Sequence, residues 1–305
     1  MIIVRVPNWI GDAVISRGFL KALSNRYGEE VILTGKKKLK AIFYDYEYIS
    51  FSSYSEYLRI LKDLKRKGAE KIFILPPSFS SAFFPFVAGI RERIGFVTDF
   101  REHFLTEKIP AYFLKKEHLL RSYLRLIGFE NKLKLYYPFM KGFSDEEKYN
   151  VLIAPHASYG KAKEWLFFKD LAEFFLKRKF KVTVIGKEKK GDFPEGVIDL
   201  RGKTSMEDVL KIISASVYIF SNDSGIAHIG AAMGKKTFVF FGSTSPSWTK
   251  PLGKNVYVFY KKTFLDSGSF NCCIAFHIYL PSGSRSFLYF HKCKKVDFFW
   301  LGLLL

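Results

Sequence analysis

The chain has 305 residues, enough for two domains and a large hydrophobic core, which excludes a mini-protein or a single small binding module. Its 49 Lys and Arg against 29 Asp and Glu give a formal net charge of +20, so we expect an anionic partner: a nucleic acid, a phosphorylated ligand or a membrane surface. Three clustered cysteines are too few for a disulfide framework and indicate a reducing compartment, by default the cytoplasm.

Neither the start of the chain nor its longest uncharged stretch has the pattern of a membrane segment. Residues 1–7 begin directly in an apolar run with no basic leader, which does not match a signal peptide. Residues 72–90 are interrupted by Pro76, Pro77 and Pro85, whereas a spanning helix needs about 20 mostly apolar residues. We therefore expect neither an export signal nor a transmembrane helix.

Strands and helices alternate in the predicted elements of the first half. In chain order they are a strand over 2–6, a loop over 7–11, a helix over 12–27, a strand over 31–34, a basic amphipathic helix over 54–67 ended by Gly68, and a strand over 71–75. This alternation predicts βαβ units and a parallel sheet.

A second series with the same pattern follows a polar stretch at 141–148, where we place a domain boundary. Its predicted elements are strands over 151–154, 181–185, 217–220 and 237–241 and helices over 168–179, 205–214 and 226–233. The sequence therefore predicts an α/β protein with two similar domains.

Open parallel sheets bind ligands beyond the carboxyl ends of their strands, so loops that follow strands are candidate sites. After the first strand, Gly11 permits close backbone approach and Asp12 lies at a helix start, where a carboxylate favoured by the helix dipole is the structural alternative. The loop after 151–154 carries hydroxyls, a glycine and two lysines, including Ser158, Tyr159 and Lys163. That composition suits a diphosphate, with a solvated basic turn as the alternative.

Two further loops carry candidate polar residues. Glu188 follows a predicted strand and could accept hydrogen bonds from ribose hydroxyls, or it is an ordinary surface glutamate. Asp223, Ser224 and Gly225 open a helix whose small first residues leave N–H groups free to meet an anion. His228 lies one turn after Ser224, with a buried, internally bonded histidine as the alternative. Asp223 would repel a phosphate unless it caps the helix or takes a sugar hydroxyl.

Several familiar motifs are missing from the sequence. It holds no G-x-x-x-x-G-K-[ST] loop and no G-x-G-x-x-G after the first strand, so P-loop hydrolysis and dinucleotide redox chemistry lose support. No two aspartates stand two apart as in a D-x-D metal site, and no Cys/His spacing resembles zinc. If a diphosphate leaves here, lysine and a helix dipole must stabilise its charge.

Five motifs then occur in order along the chain: residues 7–16 (PNWIGDAVIS), 75–82 with 86–90, 155–163 (PHASYGKAK), 222–228 (NDSGIAH) and 242–246 (GSTSP). Together they resemble the lipopolysaccharide heptosyltransferases of glycosyltransferase family 9, nearest to the heptosyltransferase II group, in register from residue 1 to about Gly253. The resemblance implies the GT-B fold, with two facing Rossmann-like domains and a cleft between them. It also implies an acceptor-binding domain over 1–143 and an ADP-heptose-binding domain over 149–262.

The activity that this resemblance implies is an inverting transfer of L-glycero-D-manno-heptose from ADP-heptose to the Kdo-lipid A or heptosyl-Kdo-lipid A inner core. Neither a metal nor a cofactor is expected, and Asp12 is expected to deprotonate the acceptor hydroxyl. The expected donor contacts are Ser158, Tyr159 and Lys163 for the diphosphate, Glu188 for the ribose, Thr204 near the adenine, and Asp223, Ser224, Gly225 and His228 for the diphosphate and heptose.

The same resemblance gives the basic charge a partner in the phosphates and carboxylates of the glycolipid acceptor. We therefore expect a cytoplasmic protein that contacts the inner membrane peripherally and binds no nucleic acid. Residues 36–40, 59–67 and 83–86 are candidate contacts with the acceptor or bilayer, unless they form a solvated face and core.

Two rival functions stay open at this point. One is a GT-B transferase with another sugar-nucleotide donor or acceptor; the other is a non-catalytic binder of nucleic acid or anionic membrane, supported by the charge and by 18% aromatic residues. The order of heptose addition and the oligomeric state are also open. Residues 263–305 leave the family pattern, as either an aberrant gene end or a divergent tail.

Overall fold

Alternating strands and helices dominate the protein in a computed structural model, which describes residues 1–98, 100–142, 150–156, 165–242, 244–261, 273–279 and 285–291. The chain divides into two units, Met1–Phe139 with Ser247–Thr249 and Met140–Pro246 with Lys250–Leu305. The domain limits expected from the sequence stay predictions, because residues 143–149 between them lie outside the described part.

The first unit follows a regular βαβ course. Its elements are β1 (Ile2–Arg5), α1 (Ile10–Tyr27), β2 (Val31–Lys36), β3 (Glu47–Phe51), α2 (Tyr54–Arg66), β4 (Lys71–Ile74), α3 (Phe79–Val87), β5 (Glu92–Val97), β6 (Glu107–Pro110), α4 (Phe113–Lys116) and α5 (Leu119–Arg125), with 3₁₀ segments at Lys37–Phe43, Glu102–Phe104 and Glu130–Tyr136. All six strands are parallel, in the order β3-β2-β1-β4-β5-β6. The order reverses between β1 and β4, which makes their carboxyl ends the switch point of this sheet.

Burial explains the helices that cover this sheet. In α1 the residues from Ala13 to Leu20 are all buried, and the helix ends at Gly28 in the left-handed conformation with φ of 63°. In α2 the apolar residues Tyr57, Leu61 and Leu64 share the buried face, while the hydroxyl of Ser53 caps the first turn. Both helices lie where the sequence predicts them.

The second unit holds the larger sheet. Elements after residue 140 are β7 (Asn150–Ala154), α6 (Phe168–Lys177), β8 (Lys181–Val184), β9 (Ile198–Asp199), α7 (Met206–Ala215), β10 (Tyr218–Asn222), α8 (Gly225–Ala232), β11 (Lys236–Phe241), α9 (Pro246–Thr249), β12 (Val256–Lys261), β13 (Cys273–Tyr279) and β14 (Arg285–His291). The strand order is β14-β13-β12-β11-β10-β7-β8-β9. The strands from β7 to β12 are parallel, and β13 and β14 are antiparallel additions.

This second sheet also has a switch point, between the neighbouring strands β7 and β10. Its core is rich in aromatic rings: Phe220 stacks on Phe238 with centroids 4.6 Å apart, and Phe238 stacks on Tyr257 at 4.9 Å. Within the described ranges, no helix is long and apolar enough to span a bilayer.

Gly18 of α1 gives a test of how tightly the first unit is packed. A Cβ atom placed there would lie 2.1 Å from the carbonyl oxygen of Tyr136 and 2.9 Å from a methyl group of Leu120. Alanine is the better helix former by about 1 kcal/mol, but a backbone collision costs about 3 kcal/mol. We therefore expect Gly18→Ala to lower the free energy of unfolding by about 2 kcal/mol in urea denaturation.

Lys21→Ala is the matched control, because Lys21 is an exposed residue of the same helix. Its effect should stay within about 0.5 kcal/mol. A Gly18→Ala protein as stable as the wild type would contradict the packing described.

Candidate functional site

The switch point of the first sheet carries Asp12. The residues after β1 lead directly into α1, where Trp9 is the N-cap residue and Asp12 lies partly exposed in the first turn. Negative charge is favoured there by the helix dipole. Burial, and then the charge of Asp12, raise the pKa of Tyr123 well above its usual value. Asp12 is thus a carboxylate at the edge where ligands of such sheets bind, and its role as a base stays a prediction.

Two buried arginines hold the loops on either side of this switch point. Arg5 donates to the carbonyl of Val6 and to Asn8 Oδ1 at 2.8 Å, which fixes the loop after β1. Arg101 donates to the carbonyls of Pro76 at 2.7 Å and Ser78 at 2.9 Å in the loop after β4. Neither arginine stands out in the sequence, because several of its partners are backbone carbonyl groups, which no sequence motif marks.

In the second unit the buried amide of Asn222 lies at the switch point. Asn222 ends β10; its Oδ1 accepts from the N–H of Trp165 at 2.9 Å, and its Nδ2 donates to the carbonyl of Pro155. The ring of Trp165 is stacked on Phe240 at 4.0 Å. Both flanks of the predicted diphosphate loop are therefore fixed, whereas Ser158, Tyr159 and Lys163 lie outside the described residues.

The start of α8 has the properties of an anion site. Ser224 is its N-cap residue, yet its side chain makes no capping bond and lies with its Oγ 2.7 Å from Ser221 Oγ. The side chain of Ser224 therefore leaves the first-turn N–H groups of α8 to other partners, such as an anion. Asp223, which the sequence analysis found hard to place beside a phosphate, accepts a hydrogen bond from Thr244 Oγ1 at 2.8 Å.

His228 is buried in α8, and its part in binding the donor stays a prediction. Burial lowers the pKa of His228 from 6.5 to about 4, so that its imidazole is neutral at pH 7. A neutral imidazole can donate or accept a hydrogen bond but supplies no positive charge. Whatever holds a diphosphate at this helix start must therefore rely on N–H groups and on cations elsewhere.

Glu188 and Thr204 follow neighbouring strands of the same sheet. Glu188, after β8, is more than half exposed, and its carboxylate lies 2.8 Å from the ammonium group of Lys190. The hydrogen bond from Lys190 lowers the pKa of Glu188. Thr204 is partly exposed just before Ser205, the residue that caps α7. Because β10, β7, β8 and β9 are adjacent, the segments that follow them lie along one edge of the sheet.

Each unit therefore contains a largely parallel sheet whose strand order reverses once, and Asp12, Glu188 and Ser224 follow strands of these sheets, which defines a protein of two Rossmann-like domains. Within that class the chain belongs to glycosyltransferase family 9 (heptosyltransferase), whose family profile matches residues 57–265. It is a glycosyltransferase, and the GT-B fold predicted from the sequence is confirmed by solved structures.

Three relatives illustrate this similarity. Lipooligosaccharide heptosyltransferase 2 of Haemophilus ducreyi is 27% identical over 310 residues, covering 84% of this chain and 87% of its own. The structure of Escherichia coli ADP-heptose LPS heptosyltransferase II matches with a TM-score of 0.75 at 22% identity, over 88% of this chain and 91% of its own. The structure of Escherichia coli heptosyltransferase WaaC with ADP-2-deoxy-2-fluoro heptose matches with a TM-score of 0.63 at 17% identity, over 85% of this chain and 92% of its own.

The buried His228 predicts a pH dependence of stability. Its folded pKa of about 4 lies below the value of 6.5 expected in the unfolded chain, so the unfolded state binds the proton first as the pH falls. The neutral side chain favours folding fully above pH 6.5, and this contribution is lost between pH 6.5 and about 4, by ~3 kcal/mol. Urea denaturation at a series of pH values should show this decline.

His228→Gln should remove the part of the decline in the free energy of unfolding that His228 causes between pH 6.5 and about 4. The control is His103→Gln, which changes an exposed histidine and should leave the slope as in the wild type. An unchanged slope in His228→Gln would contradict the assignment of the lowered pKa to this residue.

Proposed function

We propose that this glycosyltransferase transfers L-glycero-D-manno-heptose from ADP-heptose to the lipopolysaccharide inner core, on Kdo-lipid A or heptosyl-Kdo-lipid A. The family match over residues 57–265 carries the proposal. Supporting it are the Haemophilus ducreyi relative, aligned over 84% of the chain, and the fold shared with a heptosyltransferase solved with an ADP-heptose analogue. The reaction inverts the anomeric carbon and needs no metal ion.

The second unit binds the donor. The N–H groups at the start of α8 meet the diphosphate, because a helix N-terminus favours negative charge. Ser158, Tyr159 and Lys163 add hydroxyl groups and a cation on the loop that Asn222 fixes at both flanks. Asp223, held by Thr244, takes a sugar hydroxyl rather than a phosphate oxygen.

The rest of the donor is bound by neutral and carboxylate groups. His228, which is neutral at pH 7, hydrogen-bonds the heptose or a phosphate oxygen. Glu188 accepts from the ribose hydroxyls, and Thr204 lies beside the adenine. As ADP departs, Lys163 and the dipole of α8 stabilise the charge that develops on it.

Asp12 of the first unit is the general base. Inversion in one displacement requires the acceptor hydroxyl to attack opposite the leaving ADP while it loses its proton. A carboxylate in the first turn of α1, at the switch point, suits that task, and general base catalysis contributes about 10²- to 10⁴-fold. Positioning and charge stabilisation provide the remaining acceleration.

Transfer from ADP-heptose to Kdo-lipid A, with and without the first heptose, tests both the activity and the base. The wild-type protein should glycosylate one of these acceptors, with a rate at least ~10²-fold above that of Asp12→Ala. Asp12 belongs to the acceptor unit, so Asp12→Ala should bind ADP in calorimetry as tightly as the wild type. Asp12→Asn, which keeps the shape but cannot take a proton, should be equally slow.

Distinct outcomes contradict the separate parts. Transfer by the wild type from another sugar nucleotide alone would make the protein a related transferase with a different donor. Retained transfer by Asp12→Ala, or loss of its ADP binding, would contradict the assignment of Asp12 as the base. Binding of nucleic acid or anionic membrane that weakens steeply with salt and is unchanged in Asp12→Ala would favour the non-catalytic binder.

The acceptor is a glycolipid, and an aromatic patch on α3 suits a peripheral place at the cytoplasmic face of the inner membrane. Phe79, Phe86 and Val87 are each more than 40% exposed. The guanidinium of Arg93 lies 5.4 Å from the ring centre of Phe86, and Arg91 is exposed nearby in sequence. Apolar side chains with a cationic border are typical of surfaces that bind anionic lipid.

Replacing Phe79 and Phe86 together with serine should weaken sedimentation with phosphatidylglycerol vesicles at least ~10-fold, since a fully buried phenylalanine contributes about 1.5–3 kcal/mol. The control is Leu166→Ser in the second unit, where an exposed leucine should be dispensable. Equal binding of the wild type to phosphatidylcholine and phosphatidylglycerol vesicles would reject this membrane contact.

A further inference from the structure

The loop that carries Glu188 is held by hydrogen bonds at both ends. It runs from Gly186 to Gly191 after β8, and the carbonyl of Gly186 accepts from the N–H of Gly202 at 2.8 Å. At the other end, the guanidinium of Arg201 donates to the carbonyls of Lys190 and Gly191, the second at 3.0 Å. Two adjacent residues after β9 therefore close this loop.

Arg201 is itself fixed by a carboxylate. Its Nε and Nη2 donate to the two oxygens of Asp199, each at 2.8 Å, and its side chain is fully buried. The guanidinium also lies 4.9 Å from the ring centre of Phe193. The hydrogen bonds from Arg201 lower the pKa of Asp199 to about 2, so the carboxylate of Asp199 stays ionised at physiological pH. Only a planar fork can serve two carboxylate oxygens and two carbonyls at once.

Among the described residues, none holds the carboxylate of Glu188 as firmly as Asp199 holds Arg201. Its ion pair with Lys190 is solvent-exposed on both sides, and such pairs hold a side chain weakly. The place of its carboxylate is therefore set by the backbone of the loop, which Arg201 holds two residues further on. In the sequence, Arg201 lies outside the five motifs that resemble the heptosyltransferases.

We propose that Arg201 is a positioning residue for nucleoside recognition: it fixes the 186–191 loop so that Glu188 meets the ribose hydroxyls of the donor. The proposal rests on the proposed function, because it takes a ribonucleoside diphosphate as the ligand of the second unit. Without the guanidinium of Arg201 the 186–191 loop is no longer fixed, so Glu188 no longer meets the ribose hydroxyls. The diphosphate still binds at the start of α8.

Calorimetry with ADP and with 2′,3′-dideoxy-ADP, which lacks both ribose hydroxyls, tests this role. In the wild type ADP should bind ~10-fold more tightly than the dideoxy compound, the effect of about 1.4 kcal/mol of hydrogen bonding. In Arg201→Lys and Arg201→Met that ratio should fall below ~2, with the affinity for dideoxy-ADP changed less than ~2-fold. In a double-mutant cycle, Glu188→Gln should add nothing further to Arg201→Lys.

The control is Arg17→Lys, which breaks a similar fork in the other unit. Arg17 donates to both oxygens of Asp45, at 2.7 and 2.6 Å, and to the carbonyls of Ile42 and Phe139. The Arg17→Lys protein should be less stable than the wild type but keep the wild-type ratio of affinities for ADP and dideoxy-ADP. A wild-type protein that binds neither nucleotide would overturn the proposed function. Binding of ADP with an unchanged ratio in the Arg201 variants, or a ratio of 1 in the wild type, would overturn the role of Arg201.

Discussion

Backbone carbonyls that leave the carboxyl edge of a parallel sheet lose their partners in the sheet, and buried ones must find others. In this protein long polar side chains supply them. Arg101 serves the loop after β4, Asn222 serves the flanks of the loop after β7, and Arg201 serves the loop after β8. Each of these side chains is buried, so its hydrogen bonds are shielded from water. These bonds fix the backbone at the carboxyl edges of both sheets.

The sequence predicted the elements whose apolar residues recur with a helix or strand period. These include α1, α2, β1 and β7, and their bounds differ from the structure by only one or two residues. The strands β5 and β6 were missed, because Glu92 and Arg93 or Glu107 and Lys108 interrupt their apolar pattern. A strand of two residues such as β9 has no period to detect.

The candidate site divides along a similar line. Asp12, Glu188 and Ser224 could be selected as candidates because each follows a predicted strand, and position after a strand can be read from the chain. Arg5, Arg201 and Asn222 could not be selected in this way. Most of their acceptors are backbone carbonyl groups, and no sequence motif shows where such a group points in the folded chain. The net charge of +20 was equally uninformative about α8, where burial keeps the imidazole of His228 neutral at pH 7.

In the second sheet, the strands inside the family match and the strands beyond it lie at different ends of the strand order. The strands β13 and β14 lie beyond residue 265, where the family match ends, and attach beyond β12, whereas the loops predicted to bind the donor follow β7, β8, β9 and β10. Two strands, β12 and β11, lie between. A substitution in β13 or β14 can therefore reach the loops after β7, β8, β9 and β10 only through these intervening strands.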